Sequence, residues 1–268
     1  VPAEPYAAVI AQIEEDFGRP IGELFAEVSP EILGAASLAQ VHPARLLSGE
    51  RVVVKALRPG IERLVETDLA AVGLAIRLLR FSKKIRRRVD LARLADEIAR
   101  TTRAELDLRT EAQNAERFAE QFQNDPQIRV PKIYLDRTAR RTLTAENVAT
   151  IKISDRAALL AAGLDPAEVA RVLYRTYMRQ IFEHSFVHAD PHPGNLFVEA
   201  LESEDDDAPR GFRITFIDFG MMATVPPRLR GALKEYAIAL GTRDAKRLVE
   251  AYAAAGVLLP GADLTRLE

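Results

Sequence analysis

The chain has 268 residues, 48% of them hydrophobic, enough to bury a sizeable core as one two-lobed domain or two small ones. Its 37 basic and 39 acidic side chains leave a net charge of −2, so no global positive field draws it to nucleic acid and any partner must be recognised locally. The absence of cysteine removes disulfides, thiolate nucleophiles and cysteine-ligated zinc together, and fits a reducing interior.

Along the chain, apolar residues recur at helical spacing from Tyr6 to Phe17, and Gly18 follows where a helix would end. Leu38 to Leu46 and Arg51 to Leu57 read as strands of a hairpin turned at Ser48-Gly49-Glu50, because β-branched residues cluster in Val52-Val53-Val54. Pro59-Gly60 breaks the chain, and helical patterns then cover about Ile61 to Phe81, Val89 to Arg103 and Ala104 to Phe122. Strands are expected at Ile128 to Leu135 and Arg141 to Ile153, then a helix at Pro166 to Glu183 apolar on most faces. Two more strands are expected at Asn195 to Val198 and Phe212 to Ile217. Between that last pair, the acidic run Glu202 to Asp207 is too like-charged to pack and reads as a solvated loop. The remainder reads as helical. The fold class is α+β, strands first with an inserted helical block, then mostly helices. The division is expected at 1–148 and 149–268, with Glu146 to Ser154 as the crossing. The most apolar stretches, such as Leu69 to Ile76, fall far below the roughly 20 residues that span a bilayer. Val1-Pro2 is neither an initiating Met nor a signal peptide, as expected of part of a longer chain.

One constellation carries chemistry. In His188-Ala189-Asp190-Pro191-His192-Pro193-Gly194-Asn195 a His lies two before an Asp and an Asn five after it, in a loop that two prolines keep from being helical. Asp218-Phe219-Gly220 follows at the end of a later strand. Phosphoryl transfer needs such a set: one carboxylate to orient the acceptor, and an amide oxygen and a second carboxylate to hold magnesium on the phosphates. Lys55 ends the valine run on one face of its strand, where a lysine reaches phosphate oxygens. A carboxylate must fix that lysine, and Glu105, Asp107 and Glu111 are candidates: Asp107 and Glu111, four apart, share a helix face, with Glu105 about 60° to one side. His184, His188 and His192 are spaced for a metal face on a continuous helix, but Pro191 and Pro193 forbid that helix.

Taken with Gly34-Ala35-Ala36-Ser37-Leu38-Ala39-Gln40-Val41-His42, Arg58-Pro59-Gly60 and Glu111-Ala112-x-Asn114, these motifs resemble the UbiB family of atypical kinases, also called ABC1, ADCK or AarF. The resemblance runs collinearly from about Phe25 to Thr224. It implies a protein-kinase-like bilobal fold that binds ATP or ADP with magnesium. In that fold the alanine-rich turn, here Gly34, Ala35, Ala36 and Ser37, covers the phosphates. It further implies that Glu111 pairs with Lys55, that Glu105 and Asp107 face the active site, that Glu146, Asn147 and Val148 form the adenine hinge, that Asn195 and Asp218 hold the metal, and that Asp190 acts on the acceptor. Two departures stand out. Gly34 occupies the first position of an otherwise Ala-Ala-Ala-Ser turn and is expected to loosen it, since glycine tolerates positive φ. The family's lysine-x-glycine-glutamine element does not occur in this sequence.

The His-x-Asp-x-His-Pro-Gly-Asn string also resembles aminoglycoside and choline phosphotransferases, and no Ala-Pro-Glu follows Asp218, so phosphorylation of a peptide is not expected. The family's association with ubiquinone makes isoprenoid lipid, or the proteins that build it, the expected partner. The basic run Lys83 to Arg88 after an apolar helix is a candidate for peripheral contact with an anionic membrane, against the plainer reading of a solvated connection. A cytoplasmic chain, peripheral at the inner membrane or anchored there through segments outside this sequence, is expected. Turnover and nucleotide-gated binding both remain open, since the same ligands serve each.

Overall fold

Alternation along the strand that carries Val52, Val54 and Ala56 decides which way the first sheet faces, and so where the core lies. The computed structural model describes residues 3–79, 91–202 and 210–258. Helix α1 (Tyr6–Phe17) closes at Gly18, left-handed at φ 61, and the single turn α2 (Ile21–Leu24) leads into the strands. These are β1 (Phe25–Val28), β2 (Gly34–Ala35), β3 (Ala39–Leu46) and β4 (Arg51–Leu57). Helices α3 (Ile61–Leu79), α4 (Leu91–Ala104) and α5 (Leu108–Phe122) follow, then β5 (Ile128–Arg129), β6 (Thr142–Glu146), β7 (Ile151–Lys152) and α6 (Arg156–Ala161). The chain continues as α7 (Pro166–Arg179), β8 (Phe186–His188), β9 (Leu196–Ala200), β10 (Phe212–Phe216), β11 (Met222–Thr224), α8 (Pro227–Thr242) and α9 (Ala245–Ala255).

By packing, Val1–Pro166 and His192–Gly220 form one compact unit, and Ala167–Pro191 with Met221–Glu268 form another. In the first, β1, β3, β4 and β6 make an antiparallel sheet in that order, with β2 also on β3. Val52, Val54 and Ala56 are fully buried against Val9 and Ile13 of α1, with Leu24 and Phe25 beside them. Each of these side chains larger than alanine contributes about 1.5–3 kcal/mol on burial. On the opposite face Leu57 and Leu143 meet Ile61 and Val65 of α3 and Leu108 and Ala112 of α5. A second sheet runs β5-β10-β9-β7, antiparallel except for the parallel β5–β10 pair. The residue ranges expected for two lobes, 1–148 and 149–268, follow chain order. The packed units do not, because β7 and β9 pair with each other and β5 pairs with β10.

In the second unit α7 runs into a π-helical turn, Gln180–His184, that ends at Ser185 with φ 52. Beyond it β8 pairs antiparallel with β11, His188 opposite Met222. The fully buried Gln180 accepts the His188 N–H at 2.8 Å, and α8 packs on α9 through side chains that include the Tyr236 and Tyr252 rings, 5.5 Å apart.

Several expectations need correction. The strand expected over 128–135 pairs only at Ile128–Arg129, with a lone bridge from Ile133 to Ala145, because Pro131 has no N–H to give a ladder. The long strand expected over 141–153 is two strands in two sheets, parted where the Asn147 side chain accepts the Ala149 N–H. Helix α7 buries one stripe, Val169, Val172 and Thr176, and leaves Tyr174 66% exposed, so it is not apolar on most faces. Strand β11 was not expected at all, since three residues are too few to show a period. The basic run Lys83 to Arg88 and all of the acidic run except Glu202 lie outside the described residues.

Phe118 of α5 is fully buried, its ring 4.8 Å from Phe122, 5.0 Å from Phe216 and 5.3 Å from Phe219. Phe118→Ala is expected to cost about 3–5 kcal/mol in urea unfolding, and Phe118→Leu distinctly less.

Candidate active site

Lys55 stands on the face of β4 turned toward α5, two residues before the buried Leu57. Its Nζ donates to both carboxylate oxygens of Glu111 at 2.8 Å and lies 3.6 Å from Asp218 Oδ2. The Glu111 side chain is 6% exposed and that of Lys55 20%, so this is a largely desolvated pair. Burial alone would favour the neutral amine, but the charges of Glu111 and Asp218 outweigh it and hold Lys55 well above the ordinary lysine range. Removing either partner of such a pair costs about 3–5 kcal/mol, because the other charge is stranded.

The helix that carries Glu111 also holds the Asp218 segment. Glu111, Asn114, Phe118 and Phe122 stand on one stripe of α5 at helical spacing. Asn114 Nδ2 donates to the Phe219 carbonyl at 3.0 Å, and the Phe219 ring, 2% exposed, packs on Phe118. The Gly220 N–H caps Asp218 Oδ1 at 3.0 Å. A Cβ on Gly220 would lie 3.2 Å from that oxygen and 3.7 Å from Glu111 Oε2, so this glycine is present for room.

Asn195 and Asp218 leave the same end of the β9–β10 hairpin. Leu196 pairs with Phe216, and the Ile217 N–H donates to the Asn195 carbonyl at 3.1 Å. The loop before Asn195 turns through the short 3₁₀ segment Pro193–Asn195, where His192 Nδ1 accepts the Gly194 N–H at 3.0 Å. A Cβ on Gly194 would come within 2.8 Å of that nitrogen, which excludes any side chain there without moving His192.

The other candidates divide. Glu105 lies in the gap between α4 and α5, within the field of Lys55 and Asp218. Burial pushes its carboxyl above the usual range; the Lys55 charge pulls the other way, and Asp218 adds to the push. Asp107 caps α5 through the Arg109 N–H and pairs with the Arg109 guanidinium at 2.6 Å, while Arg103 pairs with Glu66 of α3. The expected shared helix face of Asp107 and Glu111 is therefore absent, because the helix starts only at Leu108 and turns the Asp107 side chain to its own backbone. Glu146 ends β6 with its carboxylate taken by Arg129 at 2.7 Å. Arg129 also holds Glu199 at 2.8 Å, so of Glu146 only the backbone is left to serve the hinge expected at Glu146, Asn147 and Val148.

Gly34 and Ala35 pair with Val41 and Gln40, and the Ala36 N–H closes the turn on the Ala39 carbonyl at 2.8 Å. Gly34 does not adopt a positive φ, so the loosening expected of it is not used. Asp190 belongs to the second unit, one residue after Ala189, whose N–H bonds the Met221 carbonyl at 2.8 Å. There burial, with the Asp190 charge behind it, pushes the Tyr177 hydroxyl up to about 12. Asn114, Phe118, Tyr177 and Gln180 were not assigned roles from the sequence. The i, i+3, i+7 spacing of Glu111, Asn114 and Phe118 was the available signal for two of them. His184, His188 and His192 occupy a π turn, a strand and a loop, and the described residues contain no metal-ligating cluster.

A model of the ABC1 atypical kinase-like domain matches residues 1–252. The chain belongs to the ABC1 atypical kinase-like family. It is 35% identical to the probable protein kinase UbiB of Marinobacter nauticus, over all of this chain and 48% of that protein. It is 36% identical to the chloroplastic ACTIVITY OF BC1 COMPLEX KINASE 8 of Arabidopsis thaliana, over 99% of this chain and 34% of that one. The ABC1 domain described here thus spans less than half the length of these relatives. Among solved structures, Rv3197 of Mycobacterium tuberculosis, determined with erythromycin, shares the fold at a TM-score of 0.69 and 24% identity, over 98% of this chain and 63% of that one. The kinase-like α+β class expected from the motifs is the class observed.

A carboxyl whose folded-state pKa is raised weakens folding once pH climbs through that value, and costs nothing below its unfolded value. Glu105→Gln is accordingly expected to raise the Tm at neutral pH and to lose that advantage below about pH 4, where the unfolded glutamate is itself protonated. A gap that persists in acid counts against a titrating Glu105. At Gly34 the backbone is extended and a Cβ meets nothing within 4 Å, so Gly34→Ala should stabilise by about 0.4–1 kcal/mol in denaturant titration.

Proposed function

We propose that this chain is the nucleotide-binding and catalytic domain of a magnesium-dependent phosphotransferase or ATPase, acting in ubiquinone or another prenyl-lipid biosynthesis. The observation that carries the chemical half is the Lys55–Glu111 pair with Asp218 3.6 Å away. A lysine locked in that way presents a fixed cation to the α- and β-phosphates. Asp218, 39% exposed at its side chain, and Asn195 offer carboxylate and amide oxygens, the hard donors that suit magnesium. Bound there, the ion would neutralise charge on the phosphates as the terminal group transfers. The Gly34–Ser37 turn covers the phosphates in this reading, the Glu146–Val148 backbone takes the adenine edge, and Asp190 orients the acceptor hydroxyl or accepts its proton.

Residues 221–226 alone separate Gly220 from α8, and that short stretch includes strand β11, which leaves no long segment on which a peptide substrate would dock. That favours a small acceptor. The prenyl-lipid half of the proposal rests on the family resemblance, as does a cytoplasmic setting at the inner membrane. No helix among the described residues is long and apolar enough to cross a membrane.

With the full chain and Mg-ATP, Asp190→Asn should lower phosphate release by about 10²-fold or more while nucleotide still raises the Tm. Asp218→Asn should abolish both effects at the same nucleotide concentration. Unchanged turnover in the two variants overturns the proposal. Protection by nucleotide with no phosphate released from the unaltered chain would instead identify a nucleotide-gated binding module.

A further inference from the structure

Three residues beyond Lys55, at the end of β4, Arg58 is 6% exposed, an unusual place for a guanidinium unless it is committed to partners. Its backbone N–H donates to the Leu38 carbonyl at 2.8 Å and its Nε to the Ala36 carbonyl at 3.2 Å, so one residue grips the turn after Gly34-Ala35 at both of its ends. A different nitrogen, Nη1, donates to Glu4 Oε1 at 2.9 Å. Glu4 reaches the same turn a second way: its backbone N–H donates at 2.9 Å to the side chain of Gln40, which is fully buried and stands opposite Ala35 in the β2–β3 ladder. Gln40 Nε2 in turn meets His42 Nε2 at 2.7 Å, and His42 Nδ1 meets the Ser29 carbonyl at 2.8 Å. A further buried bond, Gln12 Nε2 to the Leu57 carbonyl at 2.7 Å, ties α1 to the last residue before Arg58.

This arrangement is more than α1 needs to stay folded on the sheet. Val9 and Ile13 already bury that helix, and Asp16 anchors its far end through Arg141 at 2.7 Å and Thr142 at 2.9 Å. Glu4 and Arg58 bear instead on the backbone of residues 36–38, where Leu38 packs on the core but Ala36 and Ser37 are exposed, so that their placement matters most for anything lying under the turn. We propose that Arg58 and Glu4 are positioning residues of the nucleotide site. Arg58 sets the Ala36–Leu38 backbone, Glu4 holds Arg58, and the start of α1 and the phosphate-covering turn move as one body. The inference rests on the nucleotide reading above. By linkage, whatever stiffens the turn also stiffens the segment leading into α1, so bound nucleotide should be felt at Glu4 without touching it.

The test uses the full chain with Mg-ADP as probe, comparing Arg58→Lys, Glu4→Gln and, as a control at the other end of α1, Asp16→Asn. Lysine cannot reach Ala36 and Glu4 from two separate nitrogens, so Arg58→Lys should weaken nucleotide binding about tenfold, as losing one such bond implies. Glu4→Gln, at a side chain 32% exposed where glutamine keeps an oxygen for Arg58 Nη1, should weaken it in the same direction. Asp16→Asn should lower the Tm and leave the dissociation constant unchanged. Mg-ADP should also slow amide exchange around residues 4–9 in the unaltered chain, and fail to do so in Glu4→Gln. If both variants lose thermal stability but bind Mg-ADP as tightly as the unaltered chain, Arg58 and Glu4 are structural only and the inference is overturned. An equal loss of affinity in Asp16→Asn also overturns it, since general loosening of α1 would then suffice. If the unaltered chain binds no Mg-ADP, the functional proposal fails first and takes this one with it.

Discussion

A lysine and a glutamate that face each other at 2.8 Å across a mostly dry gap constrain this protein more than any other contact. Taking both charges out of water costs several kcal/mol each, and only close, doubly bonded geometry returns it. That requirement sets how far β4 lies from α5 and at what rotation. Once α5 is rotated to aim Glu111 at Lys55, its stripe necessarily presents Asn114 and Phe118 to the segment that follows β10. Phe219 then finds a fully buried ring to pack on and Asn114 finds a carbonyl to hold. Asp218, one of the two residues between β10 and that anchor, is left with few places to be, and one of them is beside Lys55.

Around this pair the turn, the end of β6 and the hairpin end are each held by a separate device. The turn at Ala36 hangs on Arg58, the Glu146 carboxylate at the end of β6 on Arg129, and the Asn195 loop on the pairing of Leu196 with Phe216. Two of the three devices are arginines with two partners, which suits a planar group with several fixed donors. Glycines 194 and 220 fit the same pattern from the opposite side: each lies so close to a neighbouring polar atom that a methyl group would displace it.

Much of this was legible in the residues. The β3–β4 hairpin, α1 with its Gly18 stop, and α5 carry strong local signals, a β-branched run, a 3.6 period and a left-handed cap. Among the motif residues, Lys55 pairs with Glu111 at 2.8 Å and lies 3.6 Å from Asp218. What misled was local pattern without context. Spacing alone put Asp107 on the face of Glu111, but a helix that begins at Leu108 makes Asp107 its cap. Apolar content made α7 look buried on most sides, although Arg171 and Arg175 mark the face it turns outward. Glycine at position 34 suggested conformational freedom that an ordinary strand residue does not use.

The sequence by itself determined which groups are present and which local shapes they favour, because propensity, caps and proline act over a few residues. It determined as well the family, because many modest motifs in one order are jointly specific. The tertiary structure alone decided that Asp107 would cap its helix instead of sharing a face with Glu111, and that the residues between Gly34 and Leu38 would be fastened to Arg58 and Glu4. Those outcomes depend on the rotation of one helix against one sheet and on contacts between residues up to 163 positions apart, as from Lys55 to Asp218. Burial sets their strength, and a stretch of sequence carries no measure of the burial that distant segments will impose on it.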